Sequence, residues 1–539
     1  MATVIVDELV RNGIDRLVLS PGSRSGALAM VAASEGRLQT TVAIDERSAG
    51  FWAVGYAKAA GKPAAVVTTS GTAVANLYPA VVEASESLTP LVIVTADRPS
   101  DLRYTGANQT IDQVEIFGRY PRFFADVPEA VDVPGEAAEW RSLVSRAVAA
   151  TNNGPVHLNV SFREPLVPVA DDGRDVSRPY LGDTTGRSHG GPWHPPPRSS
   201  PLSAVFQLEP RDLVVAGTGA DRELVEQALV AGAPVIAEGH SNCRIPGTIS
   251  TAHHLLSGGF EALLPSRMIV LGRAGLSRPL NLLAREIDTL AVEPKGGDPS
   301  RRNLAMVPVN EFQRGKGNGS FHELWMSAEQ TARSIIDRDL DSQANLTEPR
   351  TARDLWLAIP EGSVLSIGSS MPVRDLDWFA PPRDGVHVIA NRGASGIDGF
   401  LSLALGAASI RQPAYGLVGD LSFLHDSNGF LTTPRSDLTL VVVNNQGGGV
   451  FSFLPAANFS DHFERVFATP APVDIERLVG AYGACYQRVE SAEALSAAVA
   501  TQPTGIGIIE IRTDRTENVA VHRRLTEAVV LGVGALLEG

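Results

Sequence analysis

The stretch AYGLVGDLSFLHDSNGFLTTPRSDLTLVVVNN, residues 414–445, contains two short apolar runs, and each run ends in a residue whose side chain carries oxygen. The first run closes on Gly419-Asp420 and the second on Asn444-Asn445. The segment between them is long enough for a crossover helix, which two parallel strands require, and parallel strands bring their carboxyl ends side by side. The stretch therefore predicts an α/β fold with Asp420 and Asn445 at one edge of a parallel sheet.

These two side chains predict a magnesium site that also takes a diphosphate. Mg²⁺ prefers near-octahedral oxygen coordination, uses one or two carboxylates and leaves positions for phosphate oxygens and water. The glycines Gly447-Gly448-Gly449 follow directly, and without side chains they let backbone groups approach a phosphate or a metal closely. Taken alone, the pattern leaves open the alternative that Asp420 and Asn445 only cap two strand ends.

The length and composition indicate a large globular protein. With 539 residues, 44% of them hydrophobic and 20% charged, the chain is too long for one ordinary core and suggests three domains. Its formal charge of −14 argues against a nucleic-acid or anionic-membrane partner. Cys243 and Cys485 are the only cysteines, so we expect neither a disulfide framework nor a cysteine zinc site, and we expect a cytoplasmic location.

Neither end of the sequence predicts export or membrane insertion. The first residues, MATVIVDELVRNGID, are acidic where a signal peptide needs a basic head and a continuous apolar stretch. The apolar tail AVVLGVGALL, residues 528–537, is too short to cross a bilayer and predicts a packed terminal helix.

Short apolar runs rich in β-branched residues alternate with longer helical stretches three times along the chain, which predicts three doubly wound parallel-sheet domains. The first set of strands is RLVLS (16–20), TVAI (41–44), AAVVTT (64–69), LVIVTA (91–96) and VHLNV (156–160). The second set is DLVVAG (212–217), PVIAE (234–238), MIVLG (268–272) and TLAVEP (289–294). The third set is SVLSIG (363–368), HVIAN (387–391), AYGLVGD (414–420), LTLVVVNN (438–445) and GIGIIEIRT (505–513).

The sets divide the chain into three domains, at residues 1–170, 202–340 and 341–539. Between the first two, residues 171–201 are rich in Gly, Pro, Ser, Asp and Arg and include Pro195-Pro196-Pro197. This composition is typical of an exposed linker.

The Gly-Asp and Asn-Asn pairs resemble the metal-diphosphate motif of the thiamine diphosphate (ThDP) enzymes, which have pyrimidine-binding, central and diphosphate-binding domains in that order. The resemblance implies that the Asp420 and Asn445 side chains and the Gly447 carbonyl hold Mg²⁺, with Mn²⁺ as an alternative. The usual motif begins Gly-Asp-Gly, whereas this chain has Leu421 at the third position. The further diphosphate and cofactor neighbours that it implies are Ser370, Leu421, Ser422, Gly448 and Val450.

The segment AIDERSAGFWAVGYAKAAGKPAAVVTTSGTAVANLYPA, residues 43–80, is similar to the pyrimidine-domain signature of the same enzymes. It places Glu46 just after a strand and at the start of a helix that Gly61 can end. By the resemblance, the Glu46 carboxyl hydrogen-bonds the N1′ nitrogen of the cofactor pyrimidine and is held away from water. Without the resemblance, a first-turn acid that favours the helix dipole is the ordinary interpretation.

In NRGASGIDGF, residues 391–400, the resemblance places Ile397 under the bend of the cofactor. The alternative is that Ile397 is only the first core residue of the following helix.

Five segments resemble one branch of these enzymes, the 2-succinyl-5-enolpyruvyl-6-hydroxy-3-cyclohexene-1-carboxylate synthases of menaquinone biosynthesis. They are SPGSRSGAL, TADRPSDLRYTGANQ, GSSMPVRDLDWF, NRGASGIDGF and NNQGGGVFSFLP. The resemblance implies catalytic roles for Glu46, Arg392 and Gln109. The residues that it places around the substrates are Ser23, Arg24, Arg98, Gln109, Arg278, Ser370, Arg374 and Arg392, with Val450, Phe451 and Leu454 as an apolar wall.

The implied reaction explains the many arginines. The branch decarboxylates 2-oxoglutarate and adds the resulting succinyl-semialdehyde carbanion equivalent in 1,4 fashion to isochorismate, so that two dicarboxylates enter one site. A planar guanidinium binds a carboxylate through two hydrogen bonds, each worth about 1.5–3 kcal/mol. For any single arginine, a surface ion pair is the alternative.

The resemblance also implies a homodimer or homotetramer with active sites between chains. Two other functions stay open at this point. One is a related ThDP enzyme such as acetolactate synthase, with flavin in its middle domain, and the other is a ThDP-fold sensor without catalysis.

Two further patterns carry less weight. Gly217-Thr218-Gly219 follows a strand as a dinucleotide loop does, but Arg222 stands where the third glycine is needed. The pair His253-His254 falls in the middle domain and not in the pyrimidine half, so we expect it to have no catalytic role.

Overall fold

The computed structural model describes residues 1–131, 133–167, 183–195, 204–292, 305–314 and 319–538. It divides into two compact units. Unit 1 comprises Met1–Ser199, Asn391–Ile410 and His425–Ser436, and unit 2 comprises Ser200–Ala390, Arg411–Leu424 and Asp437–Gly539. Of the predicted linker, residues 183–195 contain turns without helix or strand, and the rest lies outside the described residues.

The first sheet lies in unit 1 and has six parallel strands in the order β2-β1-β3-β4-β6-β5. Its strands are β1 (Arg16–Leu19), β2 (Gln39–Val42), β3 (Ala64–Thr68), β4 (Leu91–Asp97), β5 (Phe124–Val127) and β6 (Pro155–Ser161). The helices of this region are α1 (Ala2–Arg11), α2 (Gly26–Ser34), α3 (Glu46–Ala60), α4 (Thr72–Asn76), α5 (Tyr78–Glu86) and α6 (Glu136–Ala150).

The second sheet lies in unit 2 and has five parallel strands in the order β12-β11-β10-β8-β9, with β7 and β13 paired separately. The strands are β7 (Val205–Leu208), β8 (Asp212–Ala216), β9 (Val235–Ala237), β10 (Arg267–Leu271), β11 (Asp288–Val292), β12 (Ala305–Val307) and β13 (Glu311–Arg314). The helices are α7 (Arg222–Val230), α8 (Ala252–Ser257), α9 (Arg278–Glu286) and α10 (Gly319–Ser342).

The third sheet also lies in unit 2 and has six parallel strands in the order β15-β14-β16-β17-β19-β18. The strands are β14 (Val364–Ile367), β15 (His387–Ala390), β16 (Ala414–Gly419), β17 (Leu438–Asn444), β18 (Cys485–Arg488) and β19 (Ile506–Arg512). The helices of this region are α11 (Glu348–Ala358), α12 (Met371–Phe379), α14 (Asp420–His425), α15 (Ser460–Phe463), α16 (Ile475–Ala481), α17 (Ala492–Ala500) and α18 (Arg515–Glu538). Helix α13 (Phe400–Ala408) belongs to unit 1.

The three parallel sheets confirm the predicted fold class. Each predicted apolar run overlaps a strand, and most of these strands are buried on both faces, as β4 and β6 are along their whole length. Strands β2 and β11 are partly exposed. The sequence analysis missed β5, β7, β12, β13 and β18. These strands are short and lie at sheet edges or in the separate pair, so that polar and partly exposed residues, as in β13 and β18, replace the apolar run.

The predicted terminal helix is confirmed as α18, where Leu525, Val529 and Val533 are buried in a core with residues of α8 and α10. Among the described residues, no helix is both long enough and apolar enough to cross a membrane.

Within unit 1, α3 packs against α13 through a close helix crossing. A Cβ atom at Gly55 would lie 2.0 Å from the Leu403 carbonyl oxygen, and one at Gly406 would lie 1.9 Å from the Trp52 carbonyl oxygen. Only residues without a Cβ allow this approach of the two backbones. The crossing joins the helix that begins with Glu46 to the helix that follows Ile397.

Candidate functional site

The carboxyl ends of β16 and β17 meet at one edge of the third sheet. The two strands are parallel neighbours with Gly419 opposite Val443, so Asp420 and Asn445 follow directly at the same edge. The adjacency predicted from residues 414–445 is therefore present.

The Asp420 carboxyl is buried and held by two backbone amides. Its Oδ1 accepts a hydrogen bond from the Leu421 N–H at 2.8 Å, and its Oδ2 accepts one from the Gly447 N–H at 2.8 Å. Burial raises the pKa of Asp420 to about 6, against the opposing effect of these amides. A cation beside this carboxylate would offset the cost of burying its charge.

Asn445 presents a buried oxygen without a partner. Its Nδ2 donates to Glu348 Oε1 at 2.9 Å, while its Oδ1 has no hydrogen-bond partner among the described residues. A buried acceptor left unsatisfied costs about 1–3 kcal/mol, so such an atom points to a missing ligand. An oxygen of this kind beside the Asp420 carboxylate suits a hard cation.

Gly447 has a backbone conformation that other residues rarely adopt. Its φ is +136°, and a Cβ atom there would lie 2.2 Å from the Ala468 carbonyl oxygen. The turn after β17 can therefore bring the Gly447 N–H onto Asp420 only if this position is glycine.

The described residues contain no cluster of three or more His, Cys, Asp or Glu side chains that could hold a metal. The edge instead offers one carboxylate, one amide oxygen and backbone carbonyls, which fits the oxygen set and low carboxylate number that Mg²⁺ accepts.

The other predicted cofactor and substrate residues of unit 2 lie in several different elements. Leu421 and Ser422 are in the first turn of α14, and Ser422 is buried. Ser370 precedes α12, and its carbonyl accepts a hydrogen bond from Arg374 Nη1 at 2.8 Å. The predicted apolar wall of Val450, Phe451 and Leu454 is partly exposed, and 45% of the Leu454 surface is accessible to solvent. Gly448 lies in the turn after β17, Val450 and Phe451 lie in the 3₁₀ helix Gly449–Phe453 that follows, and Arg278 is the exposed first residue of α9.

In unit 1, Glu46 is the first residue of α3, as predicted. Asp45 caps this helix by accepting the Arg47 N–H at 2.8 Å, and Gly61 ends it with φ +68°. The Glu46 carboxyl is half-buried and accepts a hydrogen bond from Asn76 Nδ2 at 3.4 Å. The shielding from water that we expected is therefore only partial in the single chain.

The turn at residues 425–428 holds the first turn of α3, and the sequence analysis missed it. Arg47 Nη2 donates to the His425 carbonyl at 2.8 Å, and Ser48 Oγ donates to Asp426 Oδ1 at 3.1 Å. Asn428 Nδ2 donates to Asp45 Oδ2 at 2.9 Å. Three residues around Glu46 are thus fixed from one turn, and the run HDSN was the available sequence signal.

Ile397 is 44% exposed and lies before α13, whose first residue is Phe400. At this exposure Ile397 is not a core residue of α13 in the single chain. A single exposed aliphatic side chain is ordinary on a protein surface, so the position of Ile397 under the cofactor stays a prediction.

Arg24 and Arg98 form a basic pair at the carboxyl edge of the first sheet. Both are 8% exposed, and Arg24 Nη1 donates to the Phe162 carbonyl at 2.8 Å while Arg98 Nη1 donates to the Gln109 carbonyl at 2.7 Å. Burial lowers the pKa of Arg98, and the charge of Arg24 lowers it further. The carboxylates of Asp97 and Glu164 oppose this shift, and Glu164 Oε1 lies 3.7 Å from Arg24 Nη2. A substrate carboxylate would add to this compensation.

The remaining predicted residues of unit 1 are Ser23, Gln109 and Arg392. Ser23 and Gln109 are exposed, and Gln109 Nε2 donates to the Ser70 carbonyl at 3.1 Å. Arg392 is half-buried and follows β15. The loop after it is held by Glu83, a residue that the sequence analysis missed, whose carboxylate accepts the Gly393 and Ala394 N–H groups at 3.0 and 2.8 Å.

The discounted histidines pack in a core. His253 and His254 lie in α8, and His253 stacks on Trp378 with ring centroids 3.7 Å apart. Burial lowers the pKa of His253 to about 3, so its imidazole is neutral.

Two family models match the chain. Residues 1–116 match the N-terminal thiamine pyrophosphate (ThDP) binding domain of thiamine pyrophosphate enzymes, and residues 369–509 match the C-terminal one. The sequence is 43% identical to the 2-succinyl-5-enolpyruvyl-6-hydroxy-3-cyclohexene-1-carboxylate synthase of Thermobifida fusca, with 99% of each chain aligned. The chain belongs to the family of these synthases. The synthases of Kineococcus radiotolerans, at 42% identity over 98% of each chain, and of Listeria innocua, at 35% over 98% of this chain and 97% of that one, agree.

The comparisons therefore confirm the predicted ThDP enzyme of menaquinone biosynthesis and favour it over the acetolactate synthase and sensor alternatives. They do not address single residues, so the roles of the site residues stay predictions.

Proposed function

We propose that the protein decarboxylates 2-oxoglutarate and joins the remaining four-carbon unit to isochorismate, using ThDP and Mg²⁺. The buried Asn445 Oδ1, which has no partner among the described residues and lies at the same sheet edge as the Asp420 carboxylate, carries the metal part of this proposal. The substrate part rests on the name that the relatives share, because 2-succinyl-5-enolpyruvyl-6-hydroxy-3-cyclohexene-1-carboxylate is the product expected from these two substrates.

The residues present fit a metal-bound diphosphate. Asp420, Asn445 and the Gly447 carbonyl would hold Mg²⁺, or Mn²⁺ in its place, and Ser422 with the neighbouring backbone N–H groups would hold phosphate oxygens. When bound, ThDP supplies the electron sink for loss of CO₂ from a 2-oxo acid.

The protein's own residues orient the reactants and move protons. Glu46 would share a proton with the pyrimidine ring, and its position at the start of a capped helix fixes the carboxyl. Arg24 and Arg98 would neutralise substrate carboxylates, since these two buried guanidinium groups lie close enough to repel each other and Asp97 and Glu164 offset that repulsion only in part. We assign Arg392, Gln109, Ser23, Ser370, Arg374 and Arg278 to the same task.

We further propose a homodimer or homotetramer in a cytoplasmic setting, with Glu46 of one chain serving the metal edge of another. The assembly rests on the resemblance to other ThDP enzymes. The location rests on the two cysteines, which are both free thiols: Cys243 is buried and Cys485 is exposed.

The test mixes protein, Mg²⁺ and ThDP with 2-oxoglutarate, with and without isochorismate, and follows CO₂ and product mass. We expect a product with the mass of the 1,4-adduct only when both substrates are present, and no product after chelation of the metal. Release of succinic semialdehyde without any adduct, or a yellow protein that consumes pyruvate, would contradict the proposal.

A further inference from the structure

Glu348 determines which way the Asn445 amide faces. The contact between Asn445 Nδ2 and Glu348 Oε1 is 2.9 Å long, and both residues are buried, at 8% and 3% exposure. Glu348 Oε1 accepts hydrogen bonds from both Asn445 Nδ2 and Thr513 Oγ1, and an oxygen that acts as an acceptor repels an amide oxygen in the same position. Rotating the amide by half a turn would therefore bring Oδ1 against a carboxylate oxygen. The observed orientation leaves Oδ1 free on the other side, the side on which no described residue satisfies it.

Glu348 is itself held in place. It is the first residue of α11, a helix capped by Thr347, and its Oε1 also accepts a hydrogen bond from Thr513 Oγ1 at 3.1 Å. Thr513 follows β19, the strand beside β17. The Glu348 side chain is thus already ordered by its helix and by Thr513. It therefore loses little further conformational entropy when Asn445 binds a ligand.

We propose that Glu348 is a positioning residue for the cation, acting through Asn445: it holds the amide so that Oδ1, and not Nδ2, faces the metal. The inference rests on the proposed metal-ThDP function and adds to it a residue that makes no contact with metal, cofactor or substrate. Hydrogen-bond partners of metal ligands typically change metal affinity by about 10–100-fold when removed.

The probe is Mn²⁺, whose free concentration is read by electron paramagnetic resonance in the presence of ThDP. Glu348→Ala weakens Mn²⁺ binding by about 10–100-fold. Glu348→Gln, whose amide oxygen can still accept from Asn445 Nδ2, stays within about threefold of the unmodified protein because the acceptor is kept. Glu490→Ala is the matched control, because Glu490 and Glu348 line the same cavity of about 400 Å³ but Glu490 is exposed. This control binds Mn²⁺ normally.

A double variant that also carries Asn445→Ala distinguishes a positioning role of Glu348 from a general loss of stability. With Asn445→Ala already present, Glu348→Ala causes no further loss of Mn²⁺ affinity, because the residue through which it acts is gone. An additional loss in that background would mean a merely structural role and would overturn the inference. If Glu348→Ala melts below the assay temperature, Glu348→Met, which keeps most of the volume and removes the acceptor, replaces it.

The outcomes distinguish the two proposals. If the unmodified protein does not bind Mn²⁺ in the presence of ThDP, the proposed function is wrong. Normal binding by both the unmodified protein and Glu348→Ala leaves the function standing and removes only the role of Glu348. A Glu348→Gln variant as weak as Glu348→Ala would also overturn it, because the amide keeps the acceptor atom.

Discussion

At the scale of single residues, the candidate site consists of polar atoms whose environment is incomplete. Burial raises the pKa of Asp420 more than its two backbone amides and the charge of Arg515 lower it. Asn445 Oδ1 has no partner among the described residues. Arg24 and Arg98 are buried close enough to lower the pKa of Arg98. Such arrangements are unfavourable for stability alone, so they indicate ligand binding.

The first residue-scale prediction concerns Glu46. Glu46→Gln removes an ionisable group and keeps the size of the side chain, so we expect turnover to fall by about 10²–10⁴-fold, the usual contribution of an acid–base group. Binding of ThDP with Mg²⁺, measured by calorimetry, stays within a few-fold. Glu139→Gln, on the exposed side of α6, is the control and keeps full activity. Unchanged turnover in Glu46→Gln would remove its catalytic role.

The second residue-scale prediction concerns pH. Burial raises the pKa of Asp426 from its ordinary value of 3.8 to about 6. Between these values the folded chain holds a proton that the unfolded chain has lost, so the contribution of Asp426 to stability falls as pH rises through this window.

Asp426→Asn does not titrate. The unfolding free energy of the variant relative to the unmodified protein should therefore rise by about 2–2.5 kcal/mol between pH 4 and pH 7. Denaturant unfolding of both proteins at several pH values measures this difference. A difference that does not vary with pH would show that Asp426 titrates normally.

At the scale of elements, the crossing of α3 and α13 places the start of α3 in unit 1 together with the segment that contains Arg392 and Ile397. The turn at residues 425–428 then fixes the first turn of α3 through Arg47, Ser48 and Asp45. The position of Glu46 therefore depends on residues nearly four hundred positions away in the chain.

The element-scale prediction tests this crossing. Gly55→Ala and Gly406→Ala each force a methyl group against a backbone carbonyl, so we expect each to lower stability by about 1–3 kcal/mol or more and to lower activity with it. Gly480→Ala is the matched control, because Gly480 lies inside α16 with nothing within 4 Å of its added Cβ atom. The control keeps or gains stability by helix propensity. Thermal unfolding compares the three, and a Gly55→Ala variant as stable as the control would contradict the close crossing.

At the scale of the whole molecule, the predicted site residues divide between the two units. Glu46, Ile397 and Arg392 belong to unit 1, and Asp420 and Asn445 belong to unit 2. The proposed assembly joins such parts from two chains. This division makes the assembly testable by complementation.

The prediction uses two inactive variants, Glu46→Gln and Asp420→Ala, each with its own affinity tag and expressed together. If sites form between chains, a hybrid dimer has one site with both substitutions and one with neither, so about half of its sites are intact. Hybrids purified through both tags should then recover about half of the normal activity. Sites formed within one chain would all carry a substitution, and the hybrids would be inactive. Each variant purified alone is the control.

The sequence by itself determined the three parallel sheets, the edge where Asp420 and Asn445 meet and the helix that begins at Glu46. These features follow from local patterns: buried apolar runs set the strands, and the residue after each run must lie at the strand's end. The edge strands β5 and β18 escaped prediction because partial exposure removes that pattern.

Only the tertiary structure decided which residues support the site. Glu348 lies 97 positions from Asn445, Asp426 lies 378 positions from Ser48, and Glu83 holds a loop 310 positions away. Hydrogen bonds between such distant residues depend on how strands and helices pack, and no local spacing encodes that packing. The sequence could name the groups that bear the chemistry, but only the folded chain could select the partners that hold them in place.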